Sequence, residues 1–138
     1  IGEILGKSLG LRGLFGVDGI LAGKSFTPVE INPRYTASAE VIERATGVPS
    51  VSWQAAAFGV GPIPEVGRTR RVVAKEIVYA SRETAISADL RQLEGLADIP
   101  EPGSVIPAGW PILTVLAEGA SEREAEDMIN KRINAVPY

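Results

Sequence analysis

The stretch Gly16-Val17-Asp18-Gly19-Ile20-Leu21-Ala22-Gly23-Lys24-Ser25-Phe26-Thr27-Pro28-Val29-Glu30-Ile31-Asn32-Pro33-Arg34 decides how this chain is read. Leu14 to Ala22 reads as one strand and Phe26 to Asn32 as a second. Gly23-Lys24 lies between them as a turn, so the pair is expected to form a β-hairpin. Pro33 ends the second strand, because proline has no N–H to give a ladder.

The hairpin brings particular side chains together. Glu30 and Asn32 are two apart on a strand, so they share a face. With the turn near Gly23-Lys24, Asp18 comes roughly across from Glu30 or its near neighbours. Three oxygen-bearing side chains then converge on one patch. Hard oxygen donors suit magnesium, which takes its remaining ligands from water and substrate phosphates. Arg34 follows directly, and its permanently charged, bidentate fork is a natural clamp for a phosphate or a carboxylate.

On either side of the hairpin the chain alternates helix and strand. Ile1, Ile4, Leu5 and Leu9 recur at helical spacing, and Gly10 and Gly13 stop that helix. Ser38 to Thr46 is expected to be helical, with Gly47 as its C-terminal stop. Ser50 to Phe58 is read as another helix, followed by a glycine- and proline-containing loop over residues 59–67. Arg71 to Ala80 is rich in β-formers and reads as a strand. Ser81 to Gly95 is ambiguous, with a short helix possible around Ala88 to Leu93. Asp98 to Gly109 reads as loop and Trp110 to Ala117 as strand. Ser121 and Glu124 have capping-box spacing and open a helix from Glu122 to about Asn134, with Ala125, Met128, Ile129 and Ile133 facing inward.

Composition narrows the chemistry. The 138 residues are sized for one domain, and 45% apolar with 22% charged residues is ordinary for a globular chain. Net charge is −3, which offers no basic surface for nucleic acid or an anionic membrane. Cysteine and histidine are both absent, so thiolate and imidazole metal sites, cysteine nucleophiles and the Ser-His-Asp triad are excluded. No apolar run nears the roughly 18 residues of a membrane helix. The chain opens on Ile inside a helical pattern, without a signal segment, so it is expected to be part of a longer, cytoplasmic protein.

Gly16-Val17-Asp18-Gly19-Ile20, followed by Val29-Glu30-Ile31-Asn32-Pro33-Arg34-Tyr35, resembles the second half of the ATP-grasp fold. The Asn-Pro-Arg form looks most like the branch containing carbamoyl phosphate synthetase and biotin carboxylase, and Tyr35-Thr36-Ala37-Ser38-Ala39-Glu40-Val41 resembles predicted ATP-dependent carboligases related to it. Ile106-Pro107-Ala108-Gly109-Trp110-Pro111-Ile112 and Thr114-Val115-Leu116-Ala117-Glu118-Gly119 resemble the ending of the same enzymes.

The resemblance implies an α+β fold, an antiparallel sheet flanked by helices. Residues 1–138 would form the C-terminal half of an ATP-grasp domain, with a closing strand–helix segment over about 98–138. It implies ATP and magnesium (or manganese) as cofactors, with Asp18, Glu30 and Asn32 as metal ligands, Glu30, Asn32 and Arg34 in the cofactor site, and Arg34 as the catalytic residue. The implied activity is that of a ligase, which activates a carboxylate as an acyl phosphate for attack by an amine or other nucleophile. The implied partners are an N-terminal ATP-grasp half, in the same protein or a companion chain, and small carboxylate and amine substrates. A homo-oligomer is compatible with the pattern. Related proteins often carry a histidine in the helix after the motif, where this chain has Ser52-Trp53-Gln54.

Two other readings stay open. One is a non-catalytic ATP-grasp half used for binding or assembly. The other is an unrelated α+β domain, which would require Asp18 and Glu30 to be far apart. Taken singly, the residues have plainer readings too. Arg34 alone suggests a surface ion pair, Ser38 a helix N-cap and Tyr35 a packing residue. Trp53 and Trp110 suggest core or interface anchors, and Arg68, Arg70 and Arg71 a solvated loop.

Overall fold

The hairpin forms where the β-formers and the Gly23-Lys24 turn place it. In the computed structural model, which describes residues 1–67 and 71–137, strands β1 (Gly16–Ala22) and β2 (Ser25–Asn32) pair antiparallel. Gly23 adopts the left-handed conformation that a two-residue turn needs. β1 begins two residues later than expected, because the Leu14 N–H donates to the Gln54 side chain (2.6 Å) instead of entering a ladder.

The register shifts once. Asp18 pairs with Glu30 and Gly19 with Pro28, leaving Val29 as an extra residue on β2. This is a β-bulge beside Pro28, a residue tolerated only at bulges and sheet edges. Phe26 lies over Gly19, where a Cβ would come within 2.5 Å of the ring.

The chain divides into two compact units, Ile1–Thr69 and Arg70–Tyr138. In the first, helix α1 (Gly2–Leu9) ends at Gly10 in the left-handed conformation. Helix α2 (Ala37–Thr46) ends at Gly47 in the same way, as the sequence pattern predicts. Its N-cap is Thr36 rather than Ser38. The two hydroxyls hydrogen-bond each other at 2.9 Å and neither caps a backbone N–H. Helix α3 (Ser50–Ala57) follows, and the Glu43 carboxylate accepts the Ser50 N–H at its start. Trp53 is half-buried and donates to the Pro64 carbonyl (3.4 Å). Tyr35 is exposed, with its hydroxyl on Glu43 (3.4 Å). Of this unit only Ala39 and Ser50 are fully buried among the described residues, and Ile20, Leu21 and Val29 on the hairpin are largely exposed.

The second unit holds a conventional core. β3 (Val72–Tyr79), β7 (Pro111–Gly119) and β5 (Leu96–Ala97) form an antiparallel sheet in the order β3-β7-β5. Six consecutive residues of β7, Ile112 to Ala117, are buried. Helix α4 (Glu122–Ala135) packs against β7 and β3. Ile86 and Leu90, from the connection between β3 and β5, join the same cluster as Leu113, Val115 and Ile129. A strand covered on both faces reads as a nearly continuous apolar run, broken here by Thr114, whose hydroxyl donates to Asp98 (2.7 Å).

The ambiguous stretch over residues 81–95 contains β4 (Thr84–Ala85) and a 3-10 turn, Leu90–Gln92, where a short helix was the expectation. Asp89 caps that turn and also binds Arg91 Nε at 2.9 Å. The Arg91 contacts hold its carboxyl below the usual range. β4 pairs with β6 (Val105–Ile106), inside what reads as loop. Trp110 is 64% exposed and Met128 is also exposed, so neither is a core anchor. Arg71 donates to Glu118 at 3.1 Å, while Arg68 and Arg70 lie outside the described residues.

Both units combine antiparallel strands with helices, and the class is α+β. Among the described residues no helix is long and apolar enough to cross a membrane.

The capping box that opens α4 forms with a variation. Ser121 Oγ accepts the Glu124 N–H (3.3 Å), while the Glu124 carboxylate reaches the N–H of Ala120 (2.8 Å), one residue before the cap. Ser121→Ala is expected to cost ~1 kcal/mol. Urea denaturation followed by circular dichroism checks this, and an unchanged midpoint would show that the cap is idle.

Candidate functional site: the acidic face of the hairpin

The hairpin's pairing places the sequence-predicted residues side by side. Asp18 stands directly opposite Glu30, and Asn32 lies two residues further along the same strand. Asn32 Nδ2 donates to Asp18 Oδ2 at 3.0 Å, so the two side chains share a face. Glu30 belongs to that face by strand alternation and by its cross-strand pairing with Asp18. Asp18 and Glu30, whose separation would favour an unrelated α+β domain, are cross-strand neighbours.

The bulge sets this geometry. With Val29 unpaired, Glu30 rather than Val29 comes opposite Asp18. An unbulged continuation of the Gly19–Pro28 pairing would bring an apolar side chain there and turn Glu30 to the other face. Gly16, opposite Asn32, leaves room for Thr36, because a Cβ at Gly16 would sit 2.6 Å from the Thr36 methyl. The entry to α2 is thereby held against the base of the hairpin.

Arg34 extends the chain of polar contacts. Its Nη2 donates to Asn32 Oδ1 (3.3 Å) and its Nη1 to the Tyr35 carbonyl (3.2 Å). Asn32 therefore links the Asp18 carboxylate to the Arg34 guanidinium. Asp18, Glu30 and Arg34 are exposed and Asn32 is half-buried.

Two carboxylates and an amide on one face are hard oxygen donors suited to a divalent cation such as magnesium. Asn32 presents its nitrogen to Asp18, so giving its oxygen to a shared cation requires the amide turned by half a rotation. Among the described residues no three His, Cys, Asp or Glu side chains gather into a self-sufficient metal cage. The donor set fits a cation that completes its shell with other oxygens.

A second feature adjoins Arg34. A cleft of about 430 Å³ is lined by Arg34 and by Arg12, Gln54 and Phe58, with Leu14 and Val51 as apolar wall. Arg12 Nε donates to the Ala57 carbonyl (2.5 Å), and its guanidinium lies 4.8 Å from the centre of the Phe58 ring. Gln54 lies on α3. Its side-chain oxygen holds the Leu14 N–H. Gly13 has positive φ, and a Cβ there would meet Gln54 Oε1 at 2.4 Å. The sequence pattern marks Gly10 and Gly13 as a helix stop and carries no signal for Arg12 between them.

The chain is similar to known proteins as a part of them. No family model matches it. An uncharacterized protein of Methanocaldococcus jannaschii is 30% identical over 117 residues, which is 85% of this chain and 29% of that protein. The chain thus spans under a third of the curated relative it matches. The structure of a single-chain, multi-domain long-chain acyl-CoA carboxylase superposes with a TM-score of 0.63 at 23% identity, over 96% of this chain and 17% of that one. At that identity the likeness concerns the fold: the chain folds like one segment of a large carboxylase.

Proposed function

We propose that this chain is the C-terminal part of an ATP-grasp ligase, and that its hairpin supplies the magnesium-binding half of the ATP site. The observation that carries the reading is the set Asp18, Glu30 and Asn32 on one face with Arg34 directly after it. The fold shared with a segment of the acyl-CoA carboxylase supports it.

In this reading Asp18, Glu30 and Asn32 would hold the metal, which when bound would supply charge neutralisation for the ATP phosphates. A substrate carboxylate oxygen bonds to the γ-phosphorus while the bond to ADP breaks. An amine or other nucleophile then attacks the acyl carbon, phosphate leaves with the bonding pair, and the nucleophile gives up its proton. Arg34 holds the transferring phosphoryl group or the carboxylate by its fork. Such chemistry is positioning and electrostatics, and a chain without His or Cys can carry it.

Contacts to adenine and to the rest of the phosphate chain would come from an N-terminal half, in the same protein or a companion. The apolar exposure of Ile20, Leu21 and Val29 on the hairpin suits such a neighbour.

The test is ADP release by the complete protein over a panel of carboxylates and amines, with magnesium present. Turnover that needs both an acid and a nucleophile is expected. An intact protein with no turnover on any pair would favour the binding-module reading. The 138-residue chain alone should bind Mg-ATP only weakly, with Kd above about 1 mM, and micromolar binding by calorimetry would contradict the division of the site.

A further inference from the structure

Arg12 has no part in the reading above, yet it lines the same cleft as Arg34. Elsewhere in the chain arginines sit beside carboxylates: Arg44 by Glu40 (3.8 Å), Arg71 by Glu118 (3.1 Å) and Arg91 by Asp89 (2.9 Å). The cleft differs, because none of its described lining residues is an Asp or a Glu. Arg12 gives Nε to a backbone carbonyl, and its Nη groups have no protein partner among the described residues. Arg34 donates to an amide oxygen and a carbonyl. Neither forms an ion pair with a carboxylate among the described residues, and both bring positive charge to one concave surface.

Arg12 is also held in place. The Ala57 carbonyl anchors one edge of its fork and the Phe58 ring supports its plane. A fork fixed in this way loses less conformational freedom when an anion arrives. Gln54, whose side-chain oxygen accepts the Leu14 N–H, also lines the wall, while Leu14 and Val51 supply apolar surface. About 430 Å³ suits a small organic molecule.

We infer that Arg12 binds a second anionic group of the acid whose reacting carboxylate meets Arg34, so that the acid substrate is a dianion with a short apolar body. The inference rests on the ligase reading for the role of the acid. A monocarboxylic acid would leave the Arg12 charge unmatched. A bare phosphate would leave the apolar wall unused.

The experiment titrates the 138-residue chain, without ATP or metal, with glutarate, butyrate and inorganic phosphate, followed by the NMR shifts of Leu14 and the Gln54 side-chain amide. Glutarate is expected to bind at least ~10-fold more tightly than either other probe, as one added charge-assisted contact gives. Arg12→Gln should reduce that preference to within about twofold, whereas Arg12→Lys, which keeps the charge but not the fork, should retain part of it. Equal binding of glutarate and butyrate, or a preference that survives Arg12→Gln, would overturn the inference. Phosphate binding as tight as glutarate would also do so, since it would mark a general anion trap.

A parallel titration with Mn²⁺, read as line broadening at Asp18 and Glu30, keeps the two readings apart. Broadening without a glutarate preference sinks the Arg12 inference alone. A glutarate preference without broadening sinks the metal site and leaves a dianion-binding cleft.

Discussion

On the proposed ligase reading, Glu30→Gln in the complete protein is expected to slow ATP turnover at least ~100-fold. A metal contact supplies several kcal/mol of transition-state stabilisation, and about 2.7 kcal/mol corresponds to that factor. The substitution keeps shape and hydrogen-bonding length but removes the charge proposed to hold the cation. Glu30 is exposed and stands opposite Asp18, a like charge. Removing it should leave thermal stability unchanged or slightly higher in the metal-free protein, because like charges directly across a strand pair repel. Lost activity with retained stability separates a metal ligand from a structural residue. Glu126→Gln on α4 is the control: Glu126 is exposed, and its loss should alter neither quantity. Arg34→Lys should also be severe, since an ammonium cannot reproduce two parallel donors. ADP release at saturating magnesium reads all three variants, and parental turnover by Glu30→Gln would remove the hairpin from the chemistry.

Leu113→Ala is expected to destabilise the Arg70–Tyr138 unit by ~3 kcal/mol. Leu113 is 1% exposed, on a strand buried along six residues and packed in one cluster with Ile86, Leu90 and Ile129. Deleting its isobutyl group removes the transfer energy and leaves a cavity that residues from four separate segments cannot all move to fill. For a unit of this size the melting temperature should drop by roughly 10–20 °C. Val29→Ala makes the contrast. Val29 is a larger-than-alanine apolar residue too, but it is 69% exposed at the bulge, and its truncation should change stability by no more than ~0.5 kcal/mol. Differential scanning calorimetry decides, and equal effects of the two would mean that the β7 core is not what holds this unit.

The two experiments probe different kinds of surface. In the Ile1–Thr69 unit few of the described side chains are buried, and Asp18, Glu30 and Arg34 are exposed. In the Arg70–Tyr138 unit the apolar side chains are turned toward one another around β7. A site placed on the first kind of surface can lose a charge without unfolding. A packed core can lose almost nothing.

Much of this was legible locally. The hairpin's turn, the stops at Gly10 and Gly47 and the Ser121 cap depend on contacts within a few residues, where backbone sterics and hydrogen bonding leave few choices. Glu30 and Asn32 share the expected face because strand alternation is a local rule. What the sequence could not say depends on contacts between distant residues. The bulge at Val29 follows from how two strands align, and it decides which residue meets Asp18. The burial of Leu113 beside Ile86 and Ile129, and the exposure of Met128 and Trp110, follow from what packs where. Nothing in the sequence marks Arg12: folding lays it against Ala57, 45 residues away, and the Phe58 ring, in the cleft that Arg34 also lines. Periodicity and caps record what each segment prefers by itself, whereas a cleft exists only between segments.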